Sequence, residues 1–227
     1  VVIAGRRSER LQQLRLSFGN PQKRLIAVTG DITDAEHRQT LVTTAVEQLG
    51  GIDLVINNAG MGAIGNFADA SAERLRRIME VDFFGATELT RLALPHLKRG
   101  NQPAIGIVSS VLAHRAVPGK SEYCAAKFAL RGWAESLRVE LKPAGIDVCN
   151  VAPSTTRSEF FDSLLETARG TQSRSAGSQS PEYVARNILK ALRQRKRDLI
   201  LSPGGKSLVW LGKFAPRFTD QLLLKYA

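Results

Sequence analysis

Tyr123 and Lys127 stand four residues apart in the stretch VSSVLAHRAVPGKSEYCAAKFAL, which covers 108–130. On a helix that spacing puts both side chains on one face. An unperturbed tyrosine titrates near pH ~10. An ammonium held beside it favours the phenolate and lowers that value, which makes the hydroxyl a usable proton donor and acceptor near neutrality. Ser110 precedes the tyrosine by thirteen positions, at the end of an apolar run, where ligands gather in open α/β sheets. Its hydroxyl can hydrogen-bond a carbonyl oxygen as negative charge develops there. Taken alone, a Tyr and a Lys at this spacing are usually only surface residues of an amphipathic helix.

The elements that must position these side chains alternate along the chain. Strand-like apolar runs at 1–5, 25–29, 53–57, 104–109, 146–151 and 198–201 are separated by helical patterns. Ser8 is placed to cap a helix carrying Leu11, Leu14 and Leu16. Thr33 or Asp34 is placed to cap a helix reaching about Leu49, with Leu41, Ala45 and Val46 on one face. One long helix is expected from about 72 to 98 and another from about 121 to 141. Pro181 suits the first turn of a further helix. Such alternation implies βαβ units and a doubly wound parallel sheet. At 227 residues a single α/β domain, 1–227, accounts for the chain. The polar stretch GTQSRSAGSQS at 170–180 reads as a mobile loop.

Composition narrows the class. Hydrophobic residues make up 43% and charged residues 23%, as in ordinary globular proteins. No apolar run approaches the ~20 residues that a membrane-spanning helix requires. The first residues lack the charged-then-apolar pattern of a signal segment. Cys124 and Cys149 form no metal spacing and no disulfide framework, so a reducing, cytoplasmic setting is expected. His37, His96 and His114 show no ligand spacing, and no metal is expected. His114, between Ser110 and Tyr123, reads either as a surface loop residue or as part of a substrate entrance.

The formal net charge is +11, and residues 182–227 hold ten Lys/Arg against three acids. Such a basic stretch can attract phosphate on nucleic acid or on anionic lipid, or can simply be a solvated surface. No aromatic-basic interleaving or module signature supports nucleic acid. Residues 206–227 form an amphipathic basic tail, KSLVWLGKFAPRFTDQLLLKYA, suited to peripheral membrane contact, a pocket wall or a dimer contact.

In combination, the strand, Ser110, Tyr123 and Lys127 resemble the active site of the short-chain dehydrogenase/reductase family. INNAG at 56–60 is similar to that family's NNAG motif, whose small residues let the backbone approach the cofactor; here these are Asn58, Ala59 and Gly60. GDITD at 30–34 matches the place where Asp31 would hydrogen-bond the adenine and Ile32 would pack on it. VAPSTTRSEF at 151–160, with Pro153 and Thr156, resembles the segment that closes over the nicotinamide. The resemblance covers essentially the whole chain. It implies a Rossmann-like fold and NAD(P)-dependent interconversion of a carbonyl and an alcohol. Tyr123 would be the general acid/base, Lys127 would lower its pKa and hold the nicotinamide ribose, and Ser110 would polarise the carbonyl. It also implies a homo-oligomer and a small-molecule substrate. Phe160, Phe161, Leu164 and Leu165, in a substrate loop at about 155–180, point to an apolar one.

In this family the second strand ends beside the adenosine ribose, where an acid selects NAD. This sequence has Gly5 there, followed by Arg6 and Arg7, whose forked donors suit a 2′-phosphate. NADP(H) is therefore the expected cofactor. Three features depart from the family pattern. The first strand and its glycine-rich turn do not precede the arginine pair, and the chain starts at Val1, so the sequence reads as N-terminally truncated. A gap in the sheet is then expected between the strands at 1–5 and 53–57. Asp82, in EVDFFG, stands where the family usually has Asn, and its carboxylate can alter the titration of Lys127. Ser154 follows Pro153 where Gly is common. The competing readings are a catalytically silent NADP-binding scaffold, or a fragment inactive through loss of the pyrophosphate-binding loop.

Overall fold

The computed structural model describes residues 1–18, 25–161, 164–165 and 179–226. The chain runs β1 (Val2–Gly5), α1 (Ser8–Ser17), β2 (Ile26–Thr29), α2 (Ala35–Leu49) and β3 (Leu54–Asn57). It continues through α3 (Ala72–Met79), α4 (Gly85–Leu97), β4 (Ala104–Val108), α5 (Ser121–Glu140) and β5 (Asp147–Ala152). It closes with α6 (Pro181–Arg193), β6 (Asp198–Ile200), α7 (Pro203–Phe214) and α8 (Pro216–Leu223). The helix starts follow capping chemistry. Asp34 accepts from the Glu36 amide at α2, and Ser180 and Ser202 accept at α6 and α7, each followed by a proline whose missing N–H costs nothing there.

All strand pairs are parallel, in two sheets: β1 with β2, and β3-β4-β5-β6 in that order. The expected break falls between β1 and β3, which are not paired. Leu54 and Ile56 of β3 accordingly stay 41% and 39% exposed, unlike the interior strands of a parallel sheet. Around the larger sheet the core has two layers. Ile105, Ile107 and Val148 pack with Leu97, Leu130 and Leu137 of α4 and α5. Cys149 and Val151 pack with Val184, Ile188 and Ala191 of α6. The period-2 alternation of β5 sends these side chains to opposite faces, which is the doubly wound arrangement.

Two expectations need correction, and a third falls outside the described residues. Ser8 does not cap α1; it is the first helical residue, Arg7 precedes it in extended conformation, and no side chain caps that end. α1 buries none of its residues, and Leu14 and Leu16 are exposed. The long helix expected over 72–98 is helical throughout, but its turns widen over Glu80–Phe84 into a π-helical segment between α3 and α4. The stretch 170–180 lies outside the described residues apart from Gln179 and Ser180.

Candidate functional site

The C-terminal ends of β1, β3, β4 and β5 open onto one cleft of about 1430 Å³. On its chemical side, β4 ends at Val108 and the chain stays extended through Ser110, whose Oγ accepts from the Leu112 amide at 3.1 Å. The Val111 amide donates to the Pro153 carbonyl at 3.0 Å and so ties this strand end to the end of β5. Tyr123 lies in the first turn of α5, and Lys127 follows one turn later, buried. Its Nζ lies 3.0 Å from Asp82 Oδ2, donates to the Val108 carbonyl at 3.5 Å and sits 5.5 Å from the centre of the Tyr123 ring.

Asp82 is fully buried, and its other oxygen accepts from the Met61 amide at 2.7 Å. One carboxylate thus joins the backbone after Gly60 to the lysine. The π-helical segment explains how it gets there. An extra residue in the turn rotates the following side chains out of the α-helical register, which buries Val81 and Asp82 together. The sequence already links the Asp82 carboxylate to the titration of Lys127; the direct ion pair between them is the structural finding. Glu122, beside Tyr123, carried no sequence signal of its own. It is buried in an ion pair with Arg74 of α3 at 2.6 Å and also accepts from the Ser121 hydroxyl at 2.8 Å. These contacts fix the start of α5.

The electrostatics follow from burial first. Burial pushes the Tyr123 phenol above its ordinary value; Lys127 and the hydrogen-bonding reach of Ser110 pull it down without reversing the shift. The lowering expected from Lys127 is present, and desolvation of the phenolate works against it, so the net shift is upward. Burial alone would lower Lys127, but Asp82 and Tyr123 raise it, so the ammonium is held charged. Burial raises the Asp82 carboxyl against the lowering effect of Lys127 and the Met61 amide.

The opposite wall carries Gly5, Arg6, Arg7, Asp31 and Ile32. Arg6 is exposed and makes no ion pair among the described residues. Arg7 pairs with Glu159, whose other oxygen takes Arg10 at 2.8 Å. Asp31 accepts from the Thr33 amide and hydroxyl and pairs with Arg77 at 2.7 Å. Burial works against the Asp31 carboxylate, but these partners carry its pKa below the usual range. Behind this wall the buried His37 ring leaves no room for a side chain at residue 30, since a Cβ on Gly30 would lie 2.2 Å from it.

Asn58, Ala59 and Gly60 form the floor, with Pro153 and Thr156 at the far end. The Thr156 hydroxyl donates to the Ser154 carbonyl at 3.1 Å, and Thr156 forms a parallel bridge with Gln179. Ser154 does not have a positive φ, so the residue common in the family is not needed for its backbone. Phe160 stands edge-on to Tyr123, with centroids 5.7 Å apart, and packs on Phe161. A Cβ on Gly62 would come within 2.9 Å of the Phe160 ring. Leu164 and Leu208 extend this apolar end. Leu165 contributes through its backbone, its amide donating to the Gly62 carbonyl at 2.9 Å. His114 is not part of the lining, and burial, followed by Arg131, lowers its pKa.

The candidate catalytic and cofactor-binding residues therefore face one cleft: Arg6, Arg7, Asp31, Ile32, Asn58, Ala59, Gly60, Ser110, Tyr123, Lys127, Pro153 and Thr156. Arg10, Glu159, Lys120 and Leu208 join them from separate parts of the chain. The cleft has the size and two-ended chemistry for a dinucleotide, with cations at one end and a Ser, Tyr and Lys at the other. Among the described residues no group of His, Cys, Asp and Glu is placed to hold a metal ion.

A glycine-lined cleft at strand ends, with Ser, Tyr and Lys on its wall, defines a dinucleotide-binding α/β protein. Residues 1–169 match the family model described as short chain dehydrogenase. The chain is 33% identical over 231 residues to the uncharacterized oxidoreductase YxnA of Bacillus subtilis, a match covering 99% of this chain and 64% of that protein. It is 29% identical over 239 residues to dehydrogenase/reductase SDR family member 7B of Bos taurus, covering 100% of this chain and 73% of that one. A short-chain dehydrogenase from Streptomyces avermitilis superposes with a TM-score of 0.84 at 24% identity, covering 100% and 87% of the two chains. One from Burkholderia phymatum in complex with NAD gives 0.85 at 21%, covering 96% and 85%. The chain belongs to the short-chain dehydrogenase family, and it spans about two thirds of the length of the Bacillus relative.

Proposed function

We propose that this protein is an NADP(H)-dependent oxidoreductase that interconverts an apolar carbonyl compound and its alcohol, with Tyr123 as general acid/base. The observation that carries this reading is the convergence of Ser110, Tyr123 and Lys127 on one cleft, with the Lys127 ammonium 5.5 Å from the Tyr123 ring. The chemistry supplied by a nicotinamide ring, when NADP(H) is bound, is hydride donation or acceptance at carbon. Arg6 and Arg7 would hold the 2′-phosphate, Asp31 and Ile32 the adenine, and Lys127 the ribose beside the nicotinamide. Asn58, Ala59, Gly60, Pro153 and Thr156 would line its path.

The residues of the chain supply the proton chemistry. The Ser110 hydroxyl donates a hydrogen bond to the substrate carbonyl oxygen and orients it. Tyr123, its pKa raised by burial, stays protonated at neutral pH and so is poised to give its proton to that oxygen. The Lys127 ammonium, held charged beside Asp82, stabilises the phenolate left behind. Phe160, Phe161, Leu164 and Leu208 form an apolar end that would exclude water and accept an apolar substrate.

Replacing Tyr123 by Phe in the full-length protein tests the mechanism. Carbonyl-dependent loss of NADPH absorbance should fall by about 10²–10⁴ while NADPH still binds. Retention of that activity would overturn the role given to Tyr123. Binding of NADPH by the unaltered protein, with no turnover of any apolar aldehyde or ketone, would favour a silent cofactor-binding scaffold.

A further inference from the structure

The basic tail singled out in the sequence is not absorbed by this mechanism. Among the described residues it folds as α7, α8 and a short turn at Leu224–Tyr226. Positions 206, 210, 213 and 214 share one face of α7, and all four are exposed: Lys206, Trp210, Lys213 and Phe214. The opposite side of the helix is turned inward. Gly205 is buried against Val111, Gly212 lies close to Arg115, and Leu208 lines the cleft. α8 presents Arg217, Phe218 and Leu222, and Leu224 and Lys225 follow, all exposed.

Trp210 and Phe214 are 61% and 63% exposed, with ring centres 5.1 Å apart, and the Lys213 ammonium lies 5.7 Å from the Phe214 ring. Phe218 is 52% exposed and Leu224 68%. Large apolar side chains so concentrated and so exposed mark an interaction surface rather than a solvated helix. The one acid within these helices, Asp220, is engaged by Arg115, and among the described residues Lys206, Lys213 and Arg217 make no ion pair.

We propose that α7 and α8 dock the protein on an anionic phospholipid bilayer. Aromatic and leucine side chains would enter the headgroup boundary while Lys206, Lys213 and Arg217 meet phosphate. No helix among the described residues is long and apolar enough to cross a membrane, so the contact is peripheral. Charge decides against a second copy of this surface, because pairing it with itself would oppose cations to cations. The exposed leucines Leu222 and Leu224 suit a hydrocarbon boundary better than nucleic acid, to which an aliphatic side chain offers no stacking face.

Co-sedimentation of the full-length protein with phosphatidylcholine vesicles, with and without phosphatidylglycerol, tests this. Binding should require the anionic lipid and fall as salt rises. Trp210→Ala/Phe214→Ala should reduce partitioning on the order of tenfold or more. Lys213→Gln and Arg217→Gln should each reduce it about fivefold at low salt. Unchanged thermal melting of these surface variants shows that the fold is intact. Equal binding to both vesicle types, or wild-type pelleting by the aromatic double variant, overturns the proposal. So does a dimer that this double variant breaks, or retention on RNA or DNA, without vesicle binding.

Discussion

On the wall that carries Ser110 and Tyr123, Asp82 is fully buried and Lys127 is 3% exposed; on the wall that carries the arginine pair, the Arg7 side chain is 64% exposed and its partner Glu159 44%. The first pair is held by a strand end, a π-helical turn and the middle of α5, each packed into the core. The second joins the end of β1, backed by a helix that buries nothing, to a segment beyond β5. Buried pairs interact at low dielectric and lose much when broken, whereas exposed pairs are screened by water and salt. Under the function proposed, proton chemistry would rest on packed, desolvated ground, and cofactor selection on a surface that small changes can retune.

The largest effect should come from breaking the buried pair. Asp82→Ala leaves the Lys127 ammonium unpaired in the core and should destabilise the protein by about 3–5 kcal/mol. Asp82→Asn keeps the shape and an acceptor for the Met61 amide but removes the charge that raises Lys127. The sign is definite. Because the folded pKa of Lys127 lies above its ordinary value, the associated stability is complete below ~10.5 and is lost as pH rises through the higher folded value. In the Asn variant the folded value drops, so the alkaline loss above ~10.5 should shrink, and should reverse if burial carries the lysine below its ordinary value. Urea midpoints across about pH 8–11 would show it, and superimposable profiles would remove Asp82 from control of the lysine.

An intermediate effect is expected at the exposed wall. Arg6→Ala/Arg7→Ala should weaken NADPH binding on the order of a hundredfold, since each guanidinium–phosphate hydrogen bond contributes ~1.5–3 kcal/mol in part. NADH binding should change little, and stability should change by no more than about 0.5 kcal/mol. Titration of both cofactors checks this. Equal weakening of the two would mean that the arginines shape the cleft without reading the 2′-phosphate.

The contrast between the walls also governs what the sequence reveals. Tyr123 and Lys127 are read from one helical turn, and Ser110 from the strand before it, because those relationships are local and periodic. The sheet order and the break between β1 and β3 follow from alternation and the family resemblance. The Asp82–Lys127 contact depends on the extra residue of a π turn, which a 3.6-residue pattern hides. Glu122 looks like any acid in a first helical turn until Arg74 of α3 is found against it. Arg7 and Glu159 meet from distant parts of the chain, a pairing no local pattern encodes. Ser8 misleads for the converse reason: its residue type suits a cap, but the extended residue before the helix is Arg7.

Glu159 offers the finest test of the comparison. Its carboxylate engages Arg7 and Arg10 where a 2′-phosphate would need the same guanidinium groups. As an anion on the cofactor's own side it competes with that phosphate, so Glu159→Gln should tighten NADPH binding. The gain should be small, up to about fivefold, because exposed pairs contribute ~0.2–1 kcal/mol. It should shrink further in high salt, where the competing charges are screened. NADH, lacking the 2′-phosphate, should bind the variant as it binds the parent. If both cofactors instead bind more weakly, Glu159 acts as a strap that draws the segment after β5 over the cleft, and its ion pairs support closure rather than oppose the phosphate.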